Sequence, residues 1–306
     1  MSLLVSVMIP CYNHEKFIKD CFDSLIEQTY RAIEILLVDD ASSDMSWEII
    51  NQYLPRLKRR FVDVYVSRNE KNCGITHNLN HMIQRAKGDI IKLIASDDFF
   101  DRSYFQNVVN AYLEYQPDFI MTNAFRVKEE SSYTDPVIID RFYNNDPFDA
   151  DSNLNLFSRV FKGNFLCAPA VSLHRSVYDK YGLYDESLYV EDLDYWLNIS
   201  KDKQLKLYYI DTPLVYYRQN ANSISSKENN EYFEARLIRM FENSINTRVK
   251  YREYISKYKY NTYLLRLMFH FYILARKEKL YLLKKKCIEY RDIFDFPYRA
   301  MALLMR

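Results

Sequence analysis

Ile90-Ile-Lys-Leu-Ile-Ala-Ser-Asp-Asp98 is a short apolar run that ends in two adjacent carboxylates. A run of this length bounded by turn signals reads as a buried strand, and Gly88-Asp89 before it and Asp101-Arg-Ser after it supply the bounds. Asp97 and Asp98 are thereby expected at the C-terminal tip of a central strand, the edge at which open α/β sheets bind their ligands. Two like charges side by side repel, and removing them from water is costly unless a cation neutralises them. A divalent metal with oxygen ligands answers that cost, and such a metal commonly also holds a phosphate. The plain structural alternative is a helix N-terminus, where Asp is favoured as well.

Upstream, the same pattern repeats. Leu3 to Ile9 is an apolar strand stopped by Pro10-Cys-Tyr-Asn13, with Asn13 placed to cap a helix whose stripe is Phe17, Ile18, Cys21, Phe22 and Leu25. A strand at 33–38 ends in Asp39-Asp40, a helix follows over 45–54, a strand near 62–66 leads to Arg68-Asn-Glu-Lys-Asn-Cys-Gly74, and a helix runs over 75–86. This alternation predicts an α/β fold with a mostly parallel central sheet flanked by helices. It sends Tyr12-Asn13, Asp39-Asp40 and Asp97-Asp98 to one rim, a convergence that capping alone does not explain.

Farther on, the expected elements are a helix over 102–115, a strand over 119–122, an irregular polar stretch over 124–150, a helix over 154–161 and a strand over 169–173. A helix ends near 178–182 with Gly182 as its C-terminal glycine. The helix opening at Glu191-Asp-Leu-Asp194 is anchored by Trp196 and Leu197, so Asp192 and Asp194 point to different sides. One of them can enter a pocket and take a proton from a hydroxyl. Edge strands over 205–210 and 214–217 lead into a polar loop over 218–225.

Only four glycines occur, and neither G-x-G-x-x-G nor G-x-x-x-x-G-K is present, so the common glycine-rich phosphate loops are excluded. The five cysteines show no C-x-x-C pair and no zinc spacing, which suits reduced thiols in a cytoplasmic protein. No basic and apolar leader opens the chain, and the apolar run Leu264–Leu274 is broken by Arg266 and His270 and is too short to span a bilayer. Residues 231–306 carry 17 Lys+Arg against 8 Asp+Glu, a net of +9, while the remainder carries −8. This basic C-terminal α-helical extension has one stripe of Leu264, Leu267, Met268, Phe271 and Leu274 and a second of Leu280, Leu283 and Cys287. The stripes suit packing on the catalytic domain or on a second copy in a homo-oligomer. The Lys284-Lys-Lys286 run is either a solvated face or a contact with anionic lipid. The acidic first part would repel nucleic-acid phosphate, so no nucleic-acid partner is expected.

Taken in order, Val5-Ser-Val-Met-Ile-Pro-Cys-Tyr-Asn13, Gln28-Thr-Tyr30, Ile35-Leu-Leu-Val-Asp-Asp-Ala-Ser-Ser-Asp44, Asn72-Cys-Gly74, Ala86-Lys-Gly-Asp89, Ser96-Asp-Asp98, Gly182-Leu-Tyr-Asp-Glu186 and Glu191-Asp192 resemble the motifs of family 2 glycosyltransferases, inverting enzymes of the GT-A fold. The resemblance covers about residues 3–226. It implies a catalytic domain over 1–226, with a nucleotide-binding half to about 123 and an acceptor half from about 124, and an extension over 227–306. It also implies a nucleotide-sugar donor, usually a UDP-sugar, and a glycan or lipid-linked acceptor. Pro10, Tyr12 and Asn13 would then border the nucleotide, Asp40 would bond the base, and Asn69, Gly74 and Asn78 would lie near base and ribose. Asp97 would sit by the ribose or sugar, and Asp98 would bind Mg2+ or Mn2+ on the diphosphate. Asp192 would be the general base, with Glu191, Trp196 and Arg218 near acceptor or diphosphate. The resemblance fails at two positions. Ser96 stands where the family's metal motif commonly has an acid, and Asn220 stands where a His is common. Those two departures keep open an inactive nucleotide-binding or scaffold protein on the same fold. The acidic sites near 40, 98 and 192 are expected to border one cleft, in an enzyme that is cytoplasmic and peripheral on the inner membrane face.

Overall fold

The computed structural model describes residues 2–148, 156–188, 191–220, 233–278 and 281–293. The chain divides into two compact units. The first comprises Met1–Asn153, Leu166–Tyr184 and Asp202–Ser226, and the second comprises Leu154–Phe165, Asp185–Lys201 and Lys227–Arg306.

The first unit is built on a mixed sheet. Its strands are β1 (Val5–Cys11), β2 (Ile33–Asp39), β3 (Asp63–Arg68), β4 (Ile90–Leu93), β5 (Phe99–Phe100), β6 (Phe119–Lys128), β7 (Ile138–Arg141), β8 (Val171–His174) and β9 (Leu207–Gln219). Their spatial order is β3-β2-β1-β4-β8-β6-β9-β5, with β7 paired to β6. β3, β2, β1 and β4 run parallel, β8 runs antiparallel between β4 and β6, and β9 lies parallel to β6. The helices α1 (Ile18–Ile26), α2 (Ser46–Arg60), α3 (Ile75–Arg85), α4 (Tyr104–Tyr115) and α6 (Arg175–Tyr181) fill the crossovers of this unit. β1 and β2 are buried along almost their whole length, as parallel strands covered on both faces must be.

Pro10 does not stop β1. Even-numbered residues of this strand face β4, and the last contact there is the Ile94 N–H donating to the Met8 carbonyl at 3.0 Å. Pro10 lies one step beyond, where no partner asks for an N–H, so the ring is tolerated inside a central strand. Asn13 is not a helix cap. α1 begins at Ile18 after Phe17, and Asn13 sits in left-handed backbone at φ 56°.

The stretch expected to be irregular over 124–150 holds the second half of β6 and all of β7. The two expected edge strands are one strand, β9, which pairs with β6 along most of its length and with β5 at Val215 and Tyr216. Its break signal, Pro213, pairs with Asn123 where the ladder shifts register, a position that needs no proline N–H.

Gly88 supports the turn into β4 by close approach: a Cβ there would lie 2.6 Å from Ser6 Oγ and 2.7 Å from the Leu4 carbonyl oxygen. Glu34, buried under this turn, accepts from Ser6 Oγ at 2.5 Å, Lys87 N at 2.6 Å and Gly88 N at 3.2 Å.

The second unit is helical: α5 (Leu156–Lys162), α7 (Asp192–Ser200), α8 (Phe233–Lys250), α9 (Lys257–Lys277) and α10 (Tyr281–Ile293). The expected stripes pack on one another. Leu264, Met268 and Phe271 join Leu237, Phe241, Ile245, Leu283 and Cys287 in one buried cluster. Leu280 and the loop residues 221–225 lie outside the described residues. The lysine run is partly committed, since Lys286 pairs with Glu242 at 2.9 Å and Lys284 lies 5.8 Å from the Tyr272 ring centre; Lys285 is exposed. No helix among the described residues is long and apolar enough to cross a membrane.

Candidate active site

The ends of β2, β1 and β4 are neighbours, so the loops that leave them meet on one rim of the first unit. Asn13 N donates to Ser42 Oγ at 2.9 Å, and Asn13 Oδ1 accepts from Ser43 N at 2.8 Å. His14 N donates to Ser46 Oγ at 2.9 Å. Asp44 Oδ2 accepts from Glu15 N at 3.0 Å while Glu15 Oε2 accepts from Met45 N at 2.9 Å. Asn13 at φ 56° and Ala41 at φ 61° bend both loops into left-handed backbone, a strain of the kind that collects at ligand sites. Beside this laced edge, Tyr12 is 47 % exposed and places an aromatic side chain at the rim.

Asp40 closes the neighbouring loop. Its Oδ1 accepts from Asn69 Nδ2 at 2.8 Å and Cys73 N at 2.7 Å, and its Oδ2 accepts from Gly74 N at 2.9 Å. Asn69 Nδ2 also reaches Asn78 Oδ1 at 2.8 Å, so four of the residues expected near a base are joined in one network. Three of the carboxylate's roughly four acceptor positions are taken, which leaves room for one further donor. Gly74, at φ 85°, occupies backbone that a side chain would strain.

Asp97 and Asp98 lie not at the tip of β4, which stops at Leu93, but on a turn between β4 and β5, closed by Asp98 N donating to the Ala95 carbonyl at 3.1 Å. Asp97 Oδ2 accepts from Asn220 Nδ2 at 2.5 Å, and its Oδ1 stands 3.9 Å from His14 Nδ1, which is itself 2.8 Å from Ser96 Oγ. Asp98 is 1 % exposed. Its Oδ1 accepts from Arg218 N at 2.8 Å, whereas its Oδ2 is buried with no hydrogen-bond partner. Burial, and then the charge of Asp97, holds the Asp98 carboxyl well above the usual carboxylate range, against the opposing pull of the Arg218 N–H.

A buried carboxylate oxygen lacking a donor costs about 1–3 kcal/mol, and a cation removes that cost. No group of three His, Cys, Asp or Glu side chains that could hold a metal occurs among the described residues. Asp98 Oδ2 is the one buried oxygen of the Asp97–Asp98 pair left bare, and an ion such as Mg2+ needs only one or two carboxylates, with phosphate and water completing its shell.

Arg218 differs from expectation. It is 1 % exposed, and all three guanidinium nitrogens donate to the protein, so its side chain is not presented to a diphosphate.

In the second unit, α7 carries the other acids. Asp192 Oδ2 accepts from Asn164 Nδ2 at 2.7 Å, and its Oδ1 from Leu193 N at 2.6 Å. Asp194 turns the other way and is held by Lys250 Nζ at 3.0 Å. Burial raises the Asp192 carboxyl above its ordinary value. Burial, and then the Asp192 charge, pushes Glu191 up to about 7. A carboxylate so raised is suited to accepting a proton near neutral pH. Trp196 is buried and packs within the protein, offering no open face to an acceptor.

Sequence reasoning passed over His14, Asp20 and Lys92. Only Lys92 left a signal, a cation inside an apolar run. It is wholly buried, donates to the Pro169 carbonyl and to Val171 O at 2.9 Å, and lies 5.0 Å from the Tyr104 ring centre; burial lowers its pKa to about 7.

The rim can be set against known proteins. Residues 6–182 match the model of Glycosyl transferase family 2. The chain is 26% identical over 159 residues to Glycosyltransferase GlyA of Streptococcus pneumoniae serotype 4, covering 52% of this chain but 22% of that relative, so it spans about a fifth of the relative's length. Its fold is similar to that of S. aureus TarS 1-349 in complex with UDP-GlcNAc, with TM-score 0.60 and 16% identity over 94% of this chain and 79% of that one. It is also similar to the mannosyltransferase PcManGT of Pyrobaculum calidifontis in complex with GDP-Man and Mn2+, with TM-score 0.58 and 17% identity over 100% of this chain and 79% of that one. With the family model spanning more than half of the chain and an α/β fold like that of TarS and PcManGT, this protein belongs to glycosyl transferase family 2, of the GT-A fold.

Proposed function

We propose that the protein is an inverting glycosyltransferase that moves a sugar from a UDP-sugar to a hydroxyl of a glycan or lipid-linked acceptor. The observation that carries this is the acidic turn, where Asp98 Oδ2 is buried without a partner beside Asp97. In this reading residues 1–226 are catalytic and 227–306 an extension. Tyr12 and the Asp40–Asn69–Asn78 network receive the base, and Asp97 orients the ribose or sugar. Asp98 would hold Mg2+ or Mn2+, which when bound supplies positive charge against the leaving diphosphate. Asp192 takes the proton of the acceptor hydroxyl as its oxygen bonds to the anomeric carbon. The bond from that carbon to the diphosphate oxygen breaks, and its electron pair leaves with UDP. Attack opposite the leaving group inverts the anomeric centre. The UDP-GlcNAc bound by TarS favours a uridine donor, while the GDP-Man and Mn2+ bound by PcManGT favour a cation at the diphosphate.

The full chain incubated with a panel of UDP-sugars and Mn2+ is expected to release UDP slowly from one of them without acceptor. Binding of that donor, seen as a raised Tm, with no UDP release from any sugar would favour the scaffold reading instead. The +9 charge of residues 231–306 supports docking on the cytoplasmic face of an anionic membrane. Co-sedimentation with phosphatidylserine-containing vesicles at low salt, and none with neutral vesicles, is expected; equal partition to both would remove this part of the reading.

A further inference from the structure

We propose that Arg218 is a positioning residue that holds the Asp97–Asp98 turn in the geometry the donor diphosphate requires, an inference that rests on the function proposed above. Arg218 stands next to last in β9, far in sequence from everything it touches. Its backbone N–H fixes Asp98 Oδ1 at 2.8 Å, and its Nε donates to the Asp97 carbonyl oxygen at 2.7 Å. One residue thus grips both the side chain and the main chain of the acidic turn.

The rest of the guanidinium reaches elsewhere in the first unit. One terminal nitrogen donates to Glu129 O at 2.7 Å and to the Ser131 carbonyl, and the other to Asp20 Oδ2 at 2.9 Å. Its central carbon lies 4.9 Å from the Phe17 ring centre and 5.3 Å from that of Phe99. Asp20 completes the frame by accepting from Tyr133 N on Oδ1 at 2.9 Å. Helix α1, the start of β5 and the 129–133 loop therefore meet on one planar cation.

Burying a charge merely to pack is poor economy, since apolar residues of similar volume commonly do as well. What the guanidinium adds is direction: a rigid fork that fixes several carbonyls at set angles, which a lysine on a flexible stem cannot copy. The guanidinium holds the Asp97 main chain, which sets where the next residue's carboxylate lies, while the Arg218 backbone N–H takes Asp98 Oδ1 and leaves Oδ2 without a partner. Asp20 and Arg218 act as supports behind the residues that meet the ligand.

Arg218→Lys and Asp20→Asn in the full chain test this, with two readouts. Hydrogen exchange of peptides spanning 94–100 and 128–134 reports the turn and the loop, and titration with Mn2+ and UDP reports the site. Arg218→Lys is expected to speed exchange in both peptides and to weaken Mn2+-dependent UDP binding by about 10–100-fold. Asp20→Asn should move both readouts the same way by less, and the double variant should fall short of the sum, because both act through one contact. Faster exchange with unchanged UDP binding would reduce Arg218 to a structural residue. Should Arg218→Lys fail to fold, Asp20→Asn decides alone, with unchanged exchange and unchanged binding overturning the role. If the parent chain binds no UDP with Mn2+, the donor reading fails and this role with it, whatever the exchange data show.

Discussion

Asp192→Asn is expected to lower kcat by about 10²–10⁴-fold, the usual contribution of a positioned proton acceptor, while donor binding stays within about twofold. Asparagine keeps the size and the acceptor oxygen that faces Asn164, so the fold of α7 is preserved. It removes the basic oxygen that the acceptor hydroxyl needs. The pH profile gives a second readout. Glu191 is raised to about 7 and Asp192 is raised beside it, so kcat should climb with pH as the pair loses its proton, with a midpoint near neutrality. Glu191→Gln removes the group at about 7 and should carry that limb toward lower pH. Near-normal turnover in Asp192→Asn would send the search for the base to another carboxylate.

Asp98→Asn should move activity and stability in opposite directions. The amide can still accept from Arg218 N, so the turn keeps its shape. It cannot bring a negative charge to the cation, and kcat/KM is expected to fall by about 10²–10³-fold, as when one group stabilising a leaving charge is lost. Stability should rise, because the native carboxyl is buried with one bare oxygen and a like charge beside it. The sign follows from linkage. The folded Asp98 pKa lies well above its ordinary 3.8, so the folded state binds this proton more tightly than the unfolded one. Its cost to stability is absent at pH below 3.8 and grows as pH rises toward the folded value. The Tm gain of Asp98→Asn should therefore be larger at pH 8 than at pH 4. An Asp98→Asn variant that is less stable at both pH values, or as active as the parent with Mn2+, would contradict the assigned role.

Much of this was legible in the sequence because the first hundred residues obey local rules. Val5–Ile9, Ile33–Val38 and Ile90–Leu93 are almost wholly buried and read as mainly apolar runs, each with one polar residue (Ser6, Glu34, Lys92), and the acid pairs just beyond the last two point to the ligand-binding rim of a sheet. The reading failed where long-range pairing decides. Ala124-Phe-Arg-Val-Lys128 looks like loop until β7 and β9 are laid beside it, and Pro213 looks like a strand end until the register shift opposite Asn123 is seen. Arg218 reads as a surface or ligand group, since burying a guanidinium depends on Asp20, Glu129 and Ser131, none of which is near it in sequence. Asn220, noted as a departure from the family pattern, is bonded to Asp97, a contact that no spacing announces.

Lys250 and Arg248, on the last turn of α8, reach back across the second unit: one clamps Asp194 on α7, the other donates to the Phe161 carbonyl at the end of α5 at 2.8 Å. The helix that bears Asp192 is thus upholstered by residues translated dozens of codons later. A chain lacking α8 would lose both contacts, so the basic tail is part of the support of the helix that carries Asp192.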